Sequence, residues 1–174
     1  MFSESNILRI FFAQPTREFN VREVARMLEI TPATVSKRLQ ELEKANILKY
    51  RKERLLDLYS ADLDSVYYRD AKVYYTITKL RKSGLIDELN KFYGKPTIVL
   101  FGSCVQGLDT EKSDCDIVIV SEKTKDFPSI KAYEKKLHRN IQLFIVKNLK
   151  GLKNPHLITS VINGISIQGE ISWT

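Results

Sequence analysis

Gly102, Ser103, Gly107, Ser113, Asp114 and Asp116 are the residues of FGSCVQGLDTEKSDCDIVIV whose types and spacing suit phosphate and metal chemistry. Gly102 lets the backbone leave a strand sharply, Ser103 offers a hydroxyl, and the amides opening the next helix can meet phosphate oxygens. Asp114 and Asp116 are two apart, so on a strand they project from one face with Cα atoms ~6.6 Å apart. Such a pair can share Mg²⁺, a hard ion that takes carboxylate and phosphate oxygens and keeps waters elsewhere. The ion would neutralise phosphate charge and orient an attacking hydroxyl. Six fixed positions at set spacing arise by accident in a chain this long with a probability on the order of 10⁻⁵.

Pro96 introduces TIVLF, an apolar run suited to a buried strand that ends at the Gly102 bend. With GS, then G, then SDxD at this spacing, the region resembles the minimal nucleotidyltransferases of the DNA polymerase beta superfamily. NPHLITSVINGISIQG resembles that family's closing helix and short strand, with Pro155 at the helix start and Gly164 at its end, so the likeness runs from Pro96 to Gly169. The resemblance implies transfer of a nucleoside monophosphate from a nucleoside triphosphate to a hydroxyl, with Mg²⁺ as cofactor and pyrophosphate expelled. It assigns nucleotide binding to Gly102, Ser103, Gly107 and Ser113, and the catalytic metal to Asp114 and Asp116. Two positions depart from the family pattern. The third carboxylate, at the second position of IQLFIV, is Gln142, a neutral amide that cannot act as a base. The basic residue before the second glycine is Gln106. Asp109, Glu111 and Glu134 are alternative carboxylates, and no spacing singles one out.

A second set of such residues lies in the first sixty. Ile7, Leu8, Phe11 and Phe12 share one helical face, and Pro15 stops that helix. Asn20 caps a second helix whose stripe is Val21, Val24, Ala25 and Leu28. Thr31 and Pro32 give a hydroxyl cap and a proline at the first position of a third. There Val35, Leu39 and Leu42 face inward, and Ala33, Lys37, Gln40 and Lys44 face outward, flanked by Thr34 and Ser36. Ile47–Arg51 and Leu55–Ser60 read as a hairpin tipped by Lys52, Glu53 and Arg54. Between positions 37 and 54 seven basic side chains meet three acidic ones, a place for a polyanion to dock. TPATVSKRLQELEKANILKYRKERLLDLYS resembles the winged helix-turn-helix of small transcription regulators. That likeness implies double-stranded DNA as a partner, with Thr34, Ser36, Lys37 and Gln40 facing bases and Arg38, Arg51, Lys52 and Arg54 contacting phosphates. The plainer reading is a three-helix bundle with a solvated basic face, or a protein-docking module.

The elements that must hold these two sets follow. Leu63, Val66, Tyr67, Val73, Tyr74, Ile77 and Leu80 recur at helical steps, Gly84 interrupts, and Leu85–Phe92 forms a shorter helix. The tyrosines at 67, 68, 74 and 75 are assigned to packing between domains. The expected architecture is α/β: a winged helix over 1–60 (three helices plus a β-hairpin wing), a helical connector over 61–94, and an α/β nucleotidyltransferase-like domain with a mixed sheet over 95–174. The 174 residues carry 28 basic and 21 acidic side chains and are 43% hydrophobic, too apolar for a disordered tail. No apolar run approaches the ~20 residues of a membrane span. MFSESNILRI lacks the layout of a secretory signal, and Cys104 and Cys115 suit packing thiols, so a cytoplasmic location is expected. His138 and His156 have no ligand partners at metal spacing. Three functions compete: an Mg-dependent enzyme directed by its winged helix, a catalytically inactive regulator that senses nucleotide or a partner, and an RNA-end modifier. By analogy with other winged helices the chain is expected to form a homodimer.

Overall fold

The computed structural model describes residues 7–171, and the chain divides into two compact units, 1–75 and 76–174. In the first unit, α1 (Leu8–Ala13) buries Leu8, Ile10, Phe11 and Phe12 and ends just before Gln14 and Pro15, because a residue preceding proline is disfavoured in the helical region. Phe19 and Asn20 form the short strand β1. Asn20 then caps α2 (Val21–Leu28), its side chain accepting a hydrogen bond from the Glu23 N–H at 2.9 Å. Thr31 caps α3 (Pro32–Lys44) in the same way, with Pro32 opening the helix. Val35 and Leu39 are fully buried, as a 3.6-residue repeat demands.

The wing is β2 (Leu48–Glu53) paired antiparallel with β3 (Leu56–Ala61), and β1 completes a three-stranded sheet on the far side of β3. This shifts the expected hairpin. Its turn is Arg54–Leu55, where Arg54 is left-handed (φ 54°) and Leu55 is 96% exposed, not the segment Lys52–Arg54. The strands run further than apolar patterning shows because the ladder continues through charged pairs such as Lys52 with Asp57. β1 escapes a sequence reading because two residues carry no period. The first part of α4 (Val66–Ser83) closes this core: Tyr68 is fully buried and donates its hydroxyl to the Phe11 carbonyl at 3.0 Å, and Tyr75 lies 5.0 Å from the Phe12 ring. These two aromatic rings therefore pack inside the first unit; Tyr67 and Tyr74 are exposed.

In the second unit α5 (Leu85–Tyr93) buries Leu85, Ile86, Leu89 and Tyr93 and ends at left-handed Gly94. The sheet consists of β4 (Thr97–Phe101), β5 (Cys115–Val120), β6 (Ile141–Val146) and β7 (Ile165–Gln168) in the order β6-β5-β4-β7. β5 and β6 are parallel, bridged by α6 (Ile130–Leu137), and the other pairs are antiparallel, giving the mixed sheet. Alternation along β5 sends Ile117 and Ile119 into a core with α5 and Leu137, and Val118 into a second core with Val161 of α7 (Pro155–Ile162), Leu149 and Leu152. α7 approaches β4 closely at Gly164, where an added Cβ would stand 2.6 Å from the Leu100 carbonyl oxygen. No helix among the described residues is long and apolar enough to cross a membrane.

Candidate functional site

Residues with odd-numbered positions on β5 face the Ile117 core, so Asp116 lies on the opposite face, with Val118. The ladder places Asp116 between Phe101 of β4 and Gln142 of β6. Gln142 is therefore the register neighbour of the second acid, and it is exposed. Asp114 precedes the strand by one residue and is exposed, whereas Asp116 is half-buried. Among the described residues neither carboxylate has a hydrogen-bond or ion-pair partner. Burial, and then the charge of Asp114, push the Asp116 carboxyl above its ordinary value, with Arg139 opposing. The two acids thus repel each other where no protein cation bonds to their oxygens.

The bend after β4 is shaped around Asp116. Gly102 is left-handed (φ 74°), and a Cβ there would stand 2.5 Å from Asp116 Oδ2. Only glycine satisfies both conditions. The following amides open a single 3₁₀ turn, Gly102–Val105, and not the α-helix expected, because the chain turns again at once. The Ser103 carbonyl accepts from the N–H groups of Gln106 and Leu108, both at 3.2 Å, and Gly107 is left-handed (φ 66°). The Ser103 hydroxyl has no hydrogen-bond partner among the described residues. The Ser113 hydroxyl is engaged in its own loop, accepting from the Thr110 N–H at 2.9 Å. Cys104 and Cys115 are buried thiols in the core behind the acids, where Cys104 Sγ donates to the Asp114 carbonyl at 3.6 Å and the neighbouring Cys104 thiol, then burial, push the Cys115 thiol well above its ordinary value. His138 and His156 are exposed. Sequence spacing gives no sign of Arg139, which donates to the carbonyls of Ser113 (2.9 Å) and Asp114 (3.3 Å) and to Asp109 Oδ2 (2.7 Å).

These residues fit a divalent cation in one respect and fall short in another. Two unpaired carboxylates in like-charge tension, one seated against a glycine that leaves it room, are hard oxygen donors suited to Mg²⁺. Among the described residues no three or more His, Cys, Asp or Glu come together as a metal cluster, so a bound ion would need waters and phosphate oxygens to complete its ligand set.

On the first unit, Thr34, Lys37, Arg38 and Gln40 are exposed along α3 and Ser36 is half-buried. Arg38 pairs with Glu41 at 3.3 Å. Arg51 is held by Glu18 through two 2.6 Å hydrogen bonds and by Glu53 at 2.7 Å, which draws the Glu18 carboxyl below its ordinary value. Lys49 is likewise tied to Asp62 and Asp64. Lys52 and Arg54 make no ion pair among the described residues, so the uncommitted positive charge of the wing sits at its tip.

A helix-turn-helix with a three-stranded wing, followed by a mixed sheet with a glycine-serine bend and two acids at the start of its second strand, is the layout of a winged helix followed by a nucleotidyltransferase-like α/β module. Residues 82–172, more than half the chain, match the nucleotidyltransferase domain family, and the chain belongs to that family, in its polymerase beta-like form. Residues 20–49 match a winged helix-turn-helix DNA-binding family. No curated protein matches the chain.

Proposed function

We propose that the second module, placed at 95–174, binds an Mg²⁺–nucleoside triphosphate at Asp114 and Asp116 and transfers the nucleoside monophosphate to a hydroxyl. The winged helix, placed at 1–60, docks on duplex DNA through Thr34, Ser36, Lys37 and Gln40, with Lys52 and Arg54 on phosphates. The observation that carries the enzymatic reading is the seating of Asp116 Oδ2 against Gly102, beside a second unpaired carboxylate. Asp114 and Asp116 hold the ion, and Ser103 donates its hydroxyl to a phosphate oxygen. When bound, Mg²⁺ supplies charge neutralisation on the phosphates. The acceptor oxygen forms a bond to the α-phosphorus as the α–β bridging bond breaks and pyrophosphate leaves. The acceptor proton passes to water, since Gln142 beside Asp116 has no basic group.

Gln142 also favours a second reading, a regulator in which the same site senses nucleotide without turnover and the winged helix supplies the output. Pyrophosphate release with α-labelled nucleotide separates the two. The enzyme reading expects release by the wild type and a ~10²-fold gain in Gln142→Asp, the low end of what a general base contributes. Nucleotide binding without release in either protein, with protein and nucleic-acid acceptors present, establishes the regulator.

A further inference from the structure

Asp114 stands outside β5, so the sheet ladder does not fix it; among the described residues only its carbonyl is hydrogen-bonded, by Cys104 Sγ and Arg139 Nη2. The Arg139 side chain is 19% exposed and that of its partner Asp109 is 3% exposed. From this buried anchor the guanidinium donates Nε to the Ser113 carbonyl and Nη2 to the Asp114 carbonyl, while Nη1 binds Asp109. Three acceptors met by the three nitrogens of one planar group match the fork of an arginine and not the single point of a lysine. Among the described residues no hydrogen bond or ion pair joins Arg139 to the Asp114 or Asp116 carboxylates. Its N–H groups are directed to carbonyls and Asp109, so it brings positive charge near the acids without occupying the oxygens a cation needs.

We infer that Arg139, anchored by Asp109, is a positioning residue that holds the Ser113–Asp114 backbone so that both carboxylates reach one divalent ion. The inference rests on the metal-binding reading of Asp114 and Asp116. It assigns a role to the loop 109–113, whose buried aspartate lies outside the glycine, serine and aspartate motif. Outer residues that orient metal ligands typically carry 10–100-fold of metal affinity.

The test is titration of the full-length chain with Mn²⁺ alone, following the free-ion signal by electron paramagnetic resonance, with thermal melting in parallel. Removing both buried charges together, in Arg139→Met with Asp109→Asn, avoids leaving a lone buried ion. That variant is expected to melt cooperatively yet bind Mn²⁺ ~10–100-fold more weakly. Arg139→Lys, which keeps the charge and reaches fewer acceptors, is expected to lose ~3–10-fold, within the lower part of that range. If the paired variant does not fold, Arg139→Lys alone decides. Wild-type Mn²⁺ affinity in the folded paired variant, or in Arg139→Lys, overturns the role. Asp116→Asn is the reference: if it titrates like the wild type, the metal reading itself falls, and the role of Arg139 with it.

Discussion

Replacing Gly102 with alanine probes the point where bend and acid meet. Two costs are legible. At φ 74° an alanine must adopt the left-handed conformation, at ~1–2 kcal/mol. Its Cβ would also stand 2.5 Å from Asp116 Oδ2, about 1 Å inside ordinary contact. Rotating the carboxylate off its preferred angle adds ~0.5–1.5 kcal/mol. The total of ~1.5–3.5 kcal/mol lowers the melting midpoint of a module this size by roughly 6–28 °C. The carboxylate moves as well, so Mg²⁺-dependent nucleotide binding weakens. In an Asp116→Ala background the oxygen is gone, and Gly102→Ala costs only the backbone term. The expected coupling is thus ~0.5–1.5 kcal/mol, within the range for residues in contact. Thermal melts of the four proteins give the cycle. Equal costs in both backgrounds, or a Gly102→Ala protein that melts and binds like the wild type, refute the apposition as the reason for glycine.

Burial and Asp114 raise the Asp116 carboxyl, so it binds a proton more tightly in the metal-free fold than in the unfolded chain. Stability is therefore lost as pH rises from the ordinary aspartate value through the raised one, and Asp116→Asn flattens that slope in melts from about pH 3 to pH 7. Cation affinity runs the other way and falls as pH drops through the raised value. On the winged helix, Glu18→Gln releases Arg51 from its bidentate partner and is expected to strengthen duplex binding severalfold at low salt, while Lys37→Ala weakens it and lowers the salt slope by ~1. Mobility-shift titrations at several salt concentrations check both. Asn20→Ala removes the cap of α2 and is expected to cost ~1 kcal/mol in denaturant melts of the first unit, leaving nucleotide binding unchanged.

Local chemistry made much of this protein readable. Asn20, Thr31 and Pro32 announce helix starts because a cap acts within one turn, and Gly84 and Gly94 mark stops for the same reason. Asp114 and Asp116 stand out because of their two-residue spacing, but only Asp116 lies on β5; Asp114 falls one residue before the strand, where the pleat does not fix its direction. What stayed hidden depends on residues far apart in the chain. Arg139 has no sequence period linking it to Ser113, and the burial of Asp109 follows from folding. The engagement of Arg51 rests on Glu18, 33 residues away, so a basic wing read from composition overstates the charge it offers. The 3₁₀ turn at Gly102 looked helical because the phosphate chemistry suggests a helix while the short path to Gly107 forbids one.

Calorimetric titration of Mg²⁺–nucleoside triphosphate into the wild type and into Asp114→Asn with Asp116→Asn tests the central claim most directly. The account predicts saturable, Mg²⁺-dependent heat in the wild type with at least one nucleotide, and its loss in the doubly substituted protein while both remain folded. Identical heats in the two proteins, or none in the wild type with any nucleotide, contradict it.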